Sequence, residues 1–224
     1  MRSFCLLVVA FIVATIQLPA CLGFTFVSAS ARAAVHPFWS DAHMTAEERA
    51  AVVKSLIDSE AEYLGALQNV TDEQWSYKPA PLRWSVGQVA EHIVLAEGAL
   101  FSRVEKALAT QPNPDWESKT SGKTQFMERV LPTRAGRAQA PWEIQPSGKL
   151  TKAEVIARFQ QVRAKVLEFA KTTDLPLKEY TLDHPFRVFG TLNAYQWLLY
   201  IPFHNLRHDK QIAEVKASAG YPKG

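Results

Sequence analysis

Read at helical period, the chain carries four apolar stripes set apart by polar faces and by breaks. The first runs through Val53, Leu56, Ile57, Leu64 and Leu67, with Glu60 near the same face. The second takes Val86, Val89, Ile93, Ala96, Leu100 and Val104. The third repeats Val155, Phe159, Val162, Val166 and Phe169 at spacings of four, three, four and three, a seam suited to antiparallel packing. The fourth, within Asn193 to Val215, aligns Trp197, Ile201, His204, His208, Ile212 and Val215. Capping boxes open the first three: Thr45 with Glu48, Ser85 with Gln88, and Thr151 with Glu154. Between the stripes lie Asn69 to Pro81, residues 110–149 with five prolines, and Asp174 to Gly190. The pattern predicts an all-α fold: an up-down-type four-helix bundle over residues 45–216, with a long irregular connection between helices two and three. A short helix near Thr124 to Val130 is expected inside that connection, and no strand is expected anywhere. Pro202 removes one backbone hydrogen bond from the last helix and should bend it just before His204.

The fourth stripe is unusual in holding two histidines. At i and i+4, His204 and His208 project to one patch of a face that should point inward, which is how a helix offers two imidazoles to one ion. The plainer reading is two core histidines, each hydrogen-bonded to a neighbour. A third ligand elsewhere would decide between them. His92 is the candidate, because it falls three residues after Val89 and four before Ala96 on the second stripe. His184, in the irregular segment before the last helix, is expected to be a loop histidine. Glu60 and Glu91 are the nearest carboxylates by spacing for general-base work. Glu60 reads better as a residue at the edge of its stripe, and Glu91, beside His92, should point away from it. No catalytic residue is assigned beyond the histidines.

Composition narrows the chemistry. The chain has 224 residues, 47% of them hydrophobic, enough for one full core with extra length. Its net charge of +3 comes from scattered Lys and Arg with no basic run, so nucleic acid is not expected as a partner. Cys5 and Cys21 are the two cysteines, which removes thiolate ligands and a cysteine nucleophile from everything after residue 21. A metal here must be held by nitrogen and oxygen. At the N-terminus, Arg2 precedes an apolar Phe4 to Ile16, the layout of an export signal. Ala29-Ser30-Ala31 and Ala31-Arg32-Ala33 offer cleavage sites, and Leu18-Pro19-Ala20-Cys21 resembles a lipoprotein box with an atypical proline. The apolar stretch continues through Val27, so a retained anchor is the alternative, weakened by Pro19 and Gly23. Residues 1–33 are thus expected to be a signal peptide, a lipoprotein signal or a membrane anchor. The folded part would be secreted or periplasmic, lipid-anchored if Cys21 is acylated, and would meet a membrane only through this segment. A homodimer is left open.

Three stretches together resemble a known family. They are Leu82-Arg83-Trp84-Ser85-Val86-Gly87-Gln88-Val89-Ala90-Glu91-His92, the run from His184 to Trp197, and His204-Asn205-Leu206-Arg207-His208-Asp209-Lys210-Gln211-Ile212. Over about Thr45 to Lys216 the chain resembles the DinB-like superfamily of metal-binding four-helix bundles. The resemblance implies that His92, His204 and His208 hold a divalent metal. Relatives in that family include thiol-dependent S-transferases and a thiol-dependent isomerase, others are described as hydrolases, and many have no known reaction. An export signal departs from the transferases, whose low-molecular-weight thiols are cytoplasmic. The expectation is an extracytoplasmic metal-dependent hydrolase or transferase acting on a small molecule. A metal- or ligand-binding bundle without turnover is the second reading, and a structural module with core histidines the third. Histidine-only ligation suits zinc or nickel.

Overall fold

The computed structural model describes residues 42–134, 136 and 139–223, so the segment read as an export signal lies outside the described residues. In chain order the elements are α1 (Ala46–Leu67), α2 (Asp72–Ser76), α3 (Val86–Leu108), α4 (Trp116–Thr120) and α5 (Lys123–Val130). A 3-10 turn (Trp142–Ile144), α6 (Lys152–Thr172), β1 (Thr181–Asp183), β2 (Thr191–Asn193) and α7 (Ala194–Lys216) follow. The four long helices α1, α3, α6 and α7 form the bundle. Each begins one residue after a capping box closed in both directions, on Thr45, Ser85, Thr151 and Asn193. Pro202 sits inside α7, which runs unbroken through it.

Contacts at the helix ends give the directions. Arg49, at the start of α1, donates to the carbonyls of Ala170, Lys171 and Thr173 at the end of α6. Lys216, at the end of α7, donates to the Ala66 carbonyl at the end of α1. Glu91, near the start of α3, accepts from Ser147 and Gly148 just ahead of α6. The pairs α1/α6 and α3/α7 are therefore antiparallel, while α3 and α6 start from the same end. The connection between them must carry the chain back along a helix of 23 residues, roughly 34 Å at about 1.5 Å per residue.

Within the bundle one polar layer divides two apolar clusters. Leu56, Val104, Val166 and Ile201 belong to the lower cluster; Tyr63, Ile93, Phe159 and Ile212 belong to the upper. Between them Arg163 of α6 grips Glu97 of α3 through two bonds, Nε to Oε1 at 2.6 Å and Nη2 to Oε2 at 2.9 Å. The same guanidinium donates to Ser59 Oγ at 2.9 Å and to the Leu56 carbonyl on α1. Asn205 of α7 donates to Glu97 Oε2 at 3.2 Å. Every long helix thus contributes to a buried layer in which the charge pair is bidentate.

That layer explains where the sequence pattern misled. The buried face of α1 is Val52, Leu56, Ser59, Tyr63 and Leu67, while Ile57 is 48% exposed. Ser59 and Tyr63 enter the core because their hydroxyls donate to the Leu56 and Ala90 carbonyls. On α6 the innermost positions are Val155, Phe159, Arg163, Val166 and Ala170, leaving Val162 and Phe169 half-buried. Two further corrections concern local structure. The 69–81 break contains α2, nucleated by a capping box between Thr71 and Gln74. The segment 174–190, expected to be irregular, feeds an antiparallel ribbon in which Leu182 faces Leu192. The short helix expected near residues 124–130 is present as α5, and α4 precedes it. Gly87, in the Trp84-Ser85-Val86-Gly87 stretch, has a packing role: a Cβ there would meet the Trp75 ring at 2.5 Å. Among the described residues no helix is long and apolar enough to cross a membrane.

Candidate metal centre

His92 lies on the second turn of α3, and His204 and His208 lie at and just past the middle of α7, toward the end of the bundle where α6 begins. Because the two helices are antiparallel neighbours, the three rings meet. Ring centroids are 4.5 Å apart for His92 and His208, 4.4 Å for His204 and His208, and 5.3 Å for His92 and His204. One nitrogen of each lies within 4.8 Å of the others, so a single ion could be held by all three. The structure brings together the three histidines expected from the sequence.

Each ring is aimed by a different device. The Nδ1–H of His92 donates to the Ile144 carbonyl at 2.7 Å, which leaves Nε2 with a free lone pair. The Nδ1–H of His208 donates to Gln211 Oε1 at 2.8 Å, one turn further along α7, with the same result. Such partners on the far nitrogen fix tautomer and orientation in histidine metal sites. Nδ1 of His204 is buried and has no hydrogen-bond partner among the described residues. Trp84 packs on His92 at 4.9 Å between ring centroids, and Tyr200 stacks on His204 at 6.2 Å.

Burial keeps the three imidazoles neutral. It lowers His92, drives His208 to about 3 and pushes His204 well below its usual value, and each of the last two is further opposed by its histidine neighbours. Neutral rings are what a divalent cation requires. The charged side chains that act on the rings include Arg207 for His204, and Arg134 and Arg207 for His208. Three imidazoles with no anionic ligand fit a borderline divalent ion and leave room for further ligands.

The other sequence candidates go elsewhere. Glu91 is buried, as its neighbour is, but turns to the connection and accepts from Ser147 N at 2.9 Å, Ser147 Oγ at 2.7 Å and Gly148 N at 2.8 Å. Glu60 stays half-buried on α1. His184 is not exposed: it stacks on Trp197 at 4.9 Å and on Tyr200 at 5.3 Å, and its Nδ1 accepts from Phe186 N at 2.9 Å. Four contributors were not read from the sequence: the Ile144 carbonyl, Gln211, Arg134 and Arg207. Gln211 was readable in principle, three residues beyond His208. Asp209 was also missed. It is buried on the adjacent face of α7 without a hydrogen-bond partner among the described residues, and burial together with Glu62 raises it to about 8. Two surface hollows of about 540 Å³ each lie on other parts of the bundle, so donor chemistry rather than hollow size marks this site.

Two known proteins resemble this chain, one in sequence and one in fold. YuaE of Bacillus subtilis strain 168 is 26% identical over 155 residues, which are 67% of this chain and 88% of that protein. Among solved structures the chain is similar to YfiT from Bacillus subtilis, described as "a probable metal-dependent hydrolase with an unusual four-helix bundle topology". The TM-score is 0.56 at 17% identity, covering 80% of this chain and 91% of YfiT, a likeness of fold. The family model of the DinB superfamily matches residues 55–212, more than two thirds of the sequence, and the chain belongs to that superfamily.

Proposed function

We propose that this protein is a divalent-metal-dependent enzyme, a hydrolase or a transferase, acting on a small molecule outside the cytoplasm. One observation carries the reading: His92, His204 and His208 converge as neutral bases, with the far nitrogens of two of them already committed to Ile144 and Gln211. A divalent ion held by the three supplies Lewis acidity, acidifying a water or polarising a carbonyl. The protein's own part is orientation and exclusion. Ile144 and Gln211 set two tautomers, Trp84 covers one side of His92, and Tyr200 covers His204. Zinc and nickel are the ions best suited to such ligands. YfiT, the structural relative, supports the hydrolase side by its description.

The extracytoplasmic assignment rests on Arg2 and the apolar Phe4 to Ile16. A second reading, a metal- or ligand-binding bundle without turnover, is favoured by one fact: both oxygens of Glu91, the carboxylate beside His92, are taken up by Ser147 and Gly148. Metal analysis of tag-free protein, followed by turnover of model esters and amides with and without a chelator, tests both. One equivalent of metal with chelator-sensitive turnover supports the enzyme. Metal without turnover supports the second reading, and no metal overturns both.

A further inference from the structure

Basic side chains gather around the α7 histidines. On α7, Tyr200, His204, Arg207 and Gln211 follow one another at helical spacing, so the guanidinium of Arg207 stands on the histidine side of the helix. It donates to the carbonyls of Thr133 and Gly136, two neutral acceptors, and among the described residues part of its five-donor fork is left over, with Glu214 as its nearby opposite charge. Arg134, in the same segment, bonds Glu214 at 3.0 Å, and Arg83 reaches the same carboxylate at 3.6 Å. Lys210 donates to the Pro132 carbonyl. Four cations, Arg207, Arg134, Arg83 and Lys210, thus gather along this end of α7, with Glu214 among them. A divalent ion would add to that positive charge. Tyr200 brings a phenol to the same place, with no hydrogen bond to its hydroxyl among the described residues and Arg207 as its charged neighbour.

We propose that the substrate of this centre carries an anionic oxygen group, a carboxylate or a phosphate, received by Arg207 with Arg134 and the Tyr200 hydroxyl while the rest of the molecule meets the metal. This rests on the metal-site reading and specifies its substrate class. Arginine beside phenol offers a planar fork and a neutral donor to one oxyanion, the recognition chemistry that these groups serve in dry sites.

Inorganic phosphate, acetate and neutral acetamide, titrated into cobalt-loaded protein and followed by visible absorption, test the proposal; calorimetry on metal-free protein gives a parallel arm. Phosphate and acetate should bind and acetamide should not, with affinity falling as salt rises. Arg207→Gln should weaken phosphate about ten-fold and Arg207→Lys should restore part of it, at unchanged metal content. Because Arg207 also pins residues 133–136, Arg134→Gln and Tyr200→Phe provide independent variants, each expected to weaken phosphate about three-fold or more. Equal binding of acetamide and acetate, or wild-type phosphate affinity in all the variants, overturns the proposal. If cobalt does not bind, the metal reading fails on its own. The calorimetric arm then decides: arginine-dependent phosphate binding sustains the anion site, and its absence ends it.

Discussion

The Ile144 carbonyl stands 2.7 Å from Nδ1 of His92, so a backbone group of the long connection decides which nitrogen of a core histidine is free. The connection is therefore part of the centre. Its last turn, at Trp142–Ile144, is held in register by Glu91, the residue just before His92, through Ser147 and Gly148.

Removing that clamp should loosen the centre without unfolding the bundle. Glu91→Ala is expected to weaken divalent-metal affinity by about ten-fold or more, the usual effect of losing an orienting partner. Helix content should be unchanged. Wild-type affinity in this variant would mean that Ile144 holds its position without Glu91.

The ligands themselves should behave as a set. His92→Ala, His204→Ala and His208→Ala are each expected to cut bound metal to about a tenth or less of an equivalent when purified without an affinity tag. Circular dichroism of the metal-free forms should match wild type. Full metal in both His92→Ala and His208→Ala would show that the rings belong to the core alone.

The buried ion pair makes a different prediction. Arg163 and Glu97 are both fully buried, so Arg163→Met strands a carboxylate and should cost about 3–5 kcal/mol in denaturant unfolding. The double variant Arg163→Met with Glu97→Leu should cost less than the single change. A double variant worse than the single would mean that the layer contributes more than the charge it neutralises.

His184 gives one part of the pH dependence, alongside the three site histidines. Burial lowers it from 6.5 to about 4, so between these values the unfolded chain binds a proton that the folded chain refuses. Its stabilising contribution is complete above pH 6.5 and is lost as pH falls from there towards 4. His184→Asn keeps an acceptor for Phe186 N and removes the titration. The metal-free variant should lose less stability than wild type between about pH 6.5 and 4.5. Parallel profiles would show that His184 is not held neutral.

Packing at Gly87 is tested most simply. The Trp75 ring is fixed by its own bond to the Leu150 carbonyl at 3.2 Å, so Gly87→Ala should force a shift costing about 1–3 kcal/mol. A thermal midpoint equal to wild type would mean that Trp75 yields freely.

Much of this was legible before any coordinates. Capping boxes placed three helix starts at Thr45, Ser85 and Thr151 because their signal is local, confined to four residues. The histidines were legible because imidazoles on two apolar stripes need partners. What escaped depends on groups distant in sequence. Arg163 reads as a surface residue until Glu97, 66 positions away, arrives to neutralise it. Ser59 hides in the same layer. The Ile144 carbonyl has no side-chain signature at all, and strands of three residues are too short to show alternation. Arg207 stood in plain sight between His204 and His208, but a charge on a helix ordinarily signals solvent.

The parallel course of α3 and α6 has a consequence for how the molecule could be divided. A cut in the connection, between residues 131 and 141, would leave α1 and α3 with His92 on one fragment and α6 and α7 with His204 and His208 on the other. An ion bound by all three would then bridge two polypeptides, acting as a removable rivet. The shared core and the Arg163–Glu97 pair would also join the halves, so a chelator should weaken their reassembly rather than abolish it.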